Sequence, residues 1–256
     1  MNYPTWSDLN NESIVPALGA RRAPDIGPVA VMVSCEPDFK FIKSNNKNLG
    51  GNPFFMSTLF TDQACDKGIS VAGPYIGAPY GAMLLESLIA KGADTIIVLG
   101  WCGAVTDQLK VGDILLPSKA IVDEGTSCNY KVLDKTFPYS TPDLNLMEQL
   151  SDHLTSGEID FKKTTIWTTD AIYRETKNKV AYFRELGARA VEMECSALFS
   201  VAHYRKVNIA GLLVVSDSVA SKDWDPGFRN KQFKLARETA CNAVMTFVKK
   251  MYKKYE

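Results

Sequence analysis

The sequence predicts an α/β protein with a parallel sheet, and three observations carry that prediction. Short, continuous β-branched and apolar runs recur along the chain at Val29–Val33, Thr95–Leu99 and Ile209–Val215, the mark of strands buried on both faces. Between Gly68 and Leu99 the order strand, glycine turn, helix, strand is that of a βαβ unit. The stretch Ala188–Ala202 then repeats the transition: a short apolar piece runs into two acids flanking a methionine, then into small and apolar residues at helical spacing.

Taken in order, residues 1–27 are polar and proline-rich and read as an N-terminal arm, with residues 28–256 as a single domain free of repeats or a linker. Val29–Val33 is the first strand, followed by a proline-containing loop with two acids, Glu36 and Asp38. Asn45–Gly51 reads as a turn or mobile loop, and Phe54–Thr61 and Gly68–Gly73 as short strands. A helix opens within Gly73–Gly81 and runs to about Lys91, with Gly92 as its C-cap. The strand Thr95–Leu99 ends at Gly100–Ala104, and Gly112–Pro117 continues as a strand. Helices are expected over Pro142–Leu154 and Lys177–Leu186, with a strand at Thr164–Trp167 between them. Asn208–Val215 is a further strand, ending at Ser216–Asp217–Ser218. The last helix covers Asn230–Tyr252, its stripe formed by Phe233, Ala236, Ala240, Val244, Phe247 and Met251.

Composition removes several function classes. With 29 basic and 29 acidic residues the net charge is zero, which argues against a nucleic-acid partner. No apolar run approaches the ~20 residues of a membrane span, and the first residues lack the basic start and apolar core of a signal peptide. Six scattered cysteines without a CxxC pair fit reduced thiols in a cytoplasmic protein. His153 and His203, the two histidines, each fall on an expected helix, so neither a metal site nor a cofactor is expected.

In an open parallel sheet, ligands bind beyond the carboxyl ends of the strands. Glu36, Gly100–Gly103, Glu192–Glu194 and Asp217 all follow the end of an expected strand, which moves the reading of Glu192 and Glu194 from helix caps toward an active site.

These residues carry a resemblance. Ile96–Val105 followed by Lys110–Ile114 resembles the glycine-turn motif of the nucleoside phosphorylase family. Val191–Glu194 is similar to that family's ribose-binding signature, Val215–Asp217 to the base-binding acid of its purine-specific branch, and Thr169–Tyr173 to the segment over the base. The matches run in order from Val29 to the C-terminus. The resemblance implies a three-layer α/β/α sandwich around a mixed, largely parallel sheet, assembled as a homo-oligomer (dimer, trimer or hexamer). It also implies cleavage of the N-glycosidic bond of a nucleoside, with the sugar passed to phosphate or to water.

By the resemblance, Asp217 is the acid that protonates the departing base; a capping role is the alternative. Arg229 resembles an arginine that approaches that acid, at a shifted spacing, and is otherwise a surface residue. Glu194 takes the ribose hydroxyls, Met193 packs under the sugar, and Glu192 either faces the ribose or supports the structure. Tyr173 either stacks on the base or belongs to the core, and Gly103, Cys102 and Ser216 complete the substrate site. No Gln/Arg pair for uracil stands near Tyr173, which favours purine.

The family's phosphate ligands correspond here to Cys35, Phe39, Val98 and Trp101, none of which offers a cation. Lys40 or the Arg21–Arg22 pair would have to compensate from another direction. With phosphate in doubt, Glu36 or Asp38 becomes the candidate to activate water. Two other readings stay open: a non-catalytic nucleoside or base binder of the same fold, and an enzyme acting on a different anionic metabolite.

Overall fold

The computed structural model describes residues 9–11, 13–17, 26–62, 68–221 and 223–253. Most of the 1–27 arm, including Arg21 and Arg22, and Cys65 lie outside the described residues.

Strands β1 (Val29–Val33), β4 (Ile69–Gly73), β5 (Thr95–Ala104) and β10 (Asn208–Ser218) form the parallel centre of one mixed sheet. The hairpin β2 (Leu49–Phe54) and β3 (Ser57–Asp62) extends it antiparallel beyond β4. On the other side β6 (Ile114–Asp123), β8 (Lys162–Thr169) and β9 (Ala190–Glu192) bridge from β10 back to β5, so the sheet curls upon itself around β5. The short strands β7 (Tyr139–Ser140) and β11 (Asp225–Pro226) pair with β6 and β10.

Alternation along the central strands explains the three layers. Ala30, Met32, Ile96 and Val98 join the cluster under α2 (Ala78–Ala90) and α5 (Cys195–Arg205). Their neighbours Val29, Val31, Ile97 and Leu99 join the cluster under α1 (Glu36–Asn45), α3 (Leu144–Ser156) and α6 (Lys231–Tyr252). A strand buried on both faces needs apolar residues at every position, which is why these runs show no alternation in sequence. The remaining helix, α4 (Lys177–Glu185), packs on the curled side, where Phe183 stacks on Trp167 at 4.2 Å between centroids.

Several boundaries differ from the sequence reading: Phe54–Thr61 is not one strand but spans the turn of the β2–β3 hairpin, β6 and β8 run longer than expected, and three further differences bear on the site. Glu36–Asp38 is not a loop but the first turn of α1, with Pro37 at its start; proline is tolerated there, and both acids lie at the helix's positive end. Leu49–Gly51 is not a loop but part of β2, an edge strand whose Gly51 leaves room for the Phe60 ring across the pair; a Cβ there would stand 2.7 Å from it. The glycine-rich Gly100–Ala104 is not a turn, because β5 runs through it and is paired by β9 on one side and β10 on the other. Among the described residues, no helix is long and apolar enough to cross a membrane.

Candidate active site

The site is assembled on Gly103. Strand β9 pairs Val191 to Gly103 from one side, and β10 pairs Asp217 to it from the other, after a register shift between Val215 and Asp217. A bulge of this kind re-aims a side chain at the end of a strand. The Asp217 carboxylate consequently lies over Gly103, where an added Cβ would stand 3.4 Å from Oδ2. Glu192 at the end of β9 and Glu194 just beyond it are carried on the opposite flank.

Those two acids divide their work. Glu192 is buried, and its Oε2 accepts from the backbone N–H groups of Glu194 and Cys195, each at 2.7 Å, while Oε1 accepts from the Thr168 hydroxyl. It therefore closes the N-terminus of α5, the role the helix dipole favours for an anion. Glu194 makes no such cap. Its Oε1 instead accepts from the Gly77 N–H at 2.5 Å, in the connection ahead of α2. Gly77 holds φ +82°, a backbone state that strains any residue with a Cβ.

Burial opposes charge on both acids, and Glu192 raises Glu194 further. Glu192, with three donors, is the better holder of the pair's charge. Glu194 is pushed up to about 8.

Asp217 is half-buried. Its Oδ1 lies 2.5 Å from the hydroxyl of Ser216, which also reaches the Cys102 carbonyl at 3.2 Å, and its Oδ2 accepts from the Trp224 indole N–H at 2.7 Å. Met193 is half-buried between the acids, and Cys102 is a fully buried thiol whose pKa burial drives far upward. Tyr173 lies on a short 3-10 turn after β8 and is 96% exposed, so it is not a core residue. Arg229 is exposed just before α6, and the hydrogen bonds to the Asp217 carboxylate come from Ser216 and Trp224 instead.

On the first helix the outcome is different for each acid. Glu36 is exposed and pairs with Lys40 at 2.8 Å, which accounts for both residues. Asp38 is 1% exposed; Oδ1 receives the Arg237 guanidinium at 2.7 Å and Oδ2 the Trp101 indole N–H at 2.5 Å. Arg237 also lies over the Trp101 ring, at 4.8 Å from its centroid, and Phe233 meets the ring edge-on at 4.9 Å. Asp38 thus has both oxygens engaged and is not free to activate a water. Phe39 stacks on Phe60, and Val98 is buried within β5.

Sequence reading missed Gly77, Trp224 and Arg237. The glycine ahead of Pro79 is a signal for a special backbone state. Arg237 stands beside the apolar stripe of α6 and gives no signal until α1 is packed against it.

A mixed sheet between two helical layers, with paired acids at the carboxyl edge of its central strands, is the architecture of a nucleoside phosphorylase. The family model described as Phosphorylase superfamily matches residues 28–249. The chain belongs to that superfamily. It is 28% identical over 162 residues to "Uncharacterized protein R802" of Acanthamoeba polyphaga mimivirus, covering 63% of this chain and 61% of that protein. It is 29% identical over 179 residues to the DeoD-type purine nucleoside phosphorylase of Mycoplasma genitalium, covering 68% of this chain and 74% of that enzyme. In fold it is similar to a purine nucleoside phosphorylase from Toxoplasma gondii solved with immucillin-H, at a TM-score of 0.78 and 19% identity, covering 96% of this chain and 100% of that one.

Proposed function

We propose that this chain cleaves the N-glycosidic bond of purine nucleosides and passes the sugar to water rather than to phosphate. The observation that carries the first half is the placement of Glu194 and Asp217 on opposite flanks of Gly103. Cleavage builds up positive charge on the sugar and negative charge on the base. Glu194 accepts the ribose hydroxyls, and Gly77 N–H fixes its orientation. Asp217 gives a proton to the leaving base, with the Ser216 hydroxyl holding its other oxygen. Trp224, 58% exposed, yields Oδ2 to the base.

The second half is supported by the positions that correspond to phosphate ligands in the resemblance. Cys35 carries a thiol pushed up to about 12 by burial, Phe39 and Val98 are packed, and Trp101 is locked to Asp38. A phosphate dianion needs cations or several donors, and Arg237, the cation over the Trp101 ring, already has an internal carboxylate. A sugar cation is electrophilic enough for water, so catalysis rests on protonating the base.

The same engagement of Asp217 and Asp38 favours a second reading, a nucleoside or base binder without turnover. A purine nucleoside panel assayed for base release, with and without inorganic phosphate, separates the readings. Release that is independent of phosphate is expected. Release only with phosphate overturns the acceptor, and saturable binding without release gives the second reading.

A further inference from the structure

An open cavity of about 720 Å³ is bordered by Tyr173, Glu175, Thr176, Val219, Asp223 and Trp224, and the Trp224 indole links it to Asp217. Its two aromatic walls come from different connections: Tyr173 from the segment between β8 and α4, Trp224 from the segment after β10. Both rings are largely exposed, and Trp224 is the residue that holds the Asp217 carboxylate. Two aromatic walls set among polar and charged groups, Lys177 and Arg184 included, suit a planar heterocycle with polar edges.

Two acids on the lining, Glu175 and Asp223, take no part in the chemistry proposed for Asp217 and Glu194; Asp223 is exposed, whereas Glu175 is drawn into the wall. It is half-buried, and among the described residues no side chain hydrogen-bonds its carboxyl group. Burial and the neighbouring Asp217 oppose its charge more than Lys179 favours it, pushing it up to about 7. A carboxyl group in this position, at the mouth of a cavity and beside a second acid, has its donor and acceptor atoms open to a ligand.

We infer that Glu175 is a base-reading residue, placed to contact the exocyclic substituent of the purine while Asp217 meets the imidazole nitrogen. Glu175 follows the turn after β8 and Asp217 lies at the end of β10, joined to the cavity through Trp224, so the two acids can address separate edges of one base. A neutral carboxyl group offers one acceptor and one donor side by side, which pairs with a ring amide or with an amino group and its adjacent ring nitrogen. The chemistry recognised is therefore a 6-oxo- or 6-aminopurine, and removing the carboxyl group alters the preference between them.

The inference rests on the reading of the chain as a purine nucleoside hydrolase, and the test separates the two. Wild type, Glu175→Ala, Glu175→Ser and Glu175→Gln are compared for kcat/KM on adenosine and inosine, with melting temperatures recorded alongside. Glu175→Ala and Glu175→Ser are expected to change the adenosine-to-inosine ratio by about tenfold or more, the size of effect left by an unpaired polar contact. Glu175→Gln, which keeps the acceptor and donor edge of the neutral acid, is expected to stay within about threefold of wild type. A folded Glu175→Ala or Glu175→Ser whose ratio stays within about twofold overturns the inference while leaving the hydrolase intact. A wild type that releases no base from any purine nucleoside overturns the hydrolase, and the base-reading role with it.

Discussion

The Trp101 indole nitrogen stands 2.5 Å from Oδ2 of Asp38, while Arg237 holds Oδ1 at 2.7 Å, so one carboxylate ties the end of β5 to α1 and α6. Asp38 is buried and its two partners are half-buried, and burial pushes the Asp38 carboxyl upward against the pull of Arg237 and Trp101. Removing one partner of a buried pair leaves the other charge uncompensated, which costs about 3–5 kcal/mol. Asp38→Ala should therefore lower unfolding stability in urea by that order. Phosphate or sulfate should recover part of the loss by seating on Arg237, and should leave wild type unmoved. Equal stability of the two proteins would show that the carboxylate is not what compensates Arg237.

A second expectation concerns proton transfer. If Asp217 protonates the leaving base, Asp217→Asn keeps the shape and the contact with Trp224 but loses the transferable proton. One general acid is worth about 10²–10⁴-fold in rate. Turnover should fall by that factor with little change in nucleoside affinity, measured by steady-state kinetics beside equilibrium binding. Turnover near that of wild type would remove Asp217 from the chemistry.

Gly77 offers a test of the sugar clamp that touches no acid. At φ +82° and ψ 149° it occupies a region open to glycine alone, where another residue is strained by about 1–3 kcal/mol. Space is not the obstacle, since an added Cβ meets nothing within 4 Å. Gly77→Ala should therefore fold, with the N–H rotated away from Glu194, and KM should rise more than kcat falls. An unchanged KM in the Gly77→Ala variant would mean that the Gly77 N–H does not orient the clamp.

Much of this arrangement was legible in the chain. The unbroken apolar runs gave β1, β5 and β10, because double burial leaves no polar face to interrupt them. The acids after those strands were visible as candidates for the same reason that strand ends gather ligands. What stayed hidden depended on packing between distant elements. Nothing local distinguishes Glu192 from Glu194, yet one faces the helix N-terminus and the other faces Gly77, 117 positions away. Asp38 reads as a loop acid until α1 forms and Arg237, 199 positions on, meets it. The glycines of β5 read as a turn because their strand character comes from pairing with β9 and β10, not from their own preference.

The hidden distinction between Glu192 and Glu194 has a consequence for stability. Glu194 holds its proton to about pH 8 in the folded protein, whereas an unfolded glutamate releases it near 4.5. Between those values the native state binds more protons than the unfolded state, so stability falls as pH rises, by an amount on the order of a few kcal/mol across the window. Glu194→Gln cannot titrate there and so lacks this slope. Glu175, raised to about 7, contributes a similar slope in both proteins and cancels from the difference. Unfolding measured in urea from about pH 5 to 9 should therefore show the variant gaining on wild type up to about pH 8, with the gap constant above it. Parallel profiles across the whole range would mean that Glu194 is ionised in the folded protein throughout, and that its carboxylate reaches the sugar already charged.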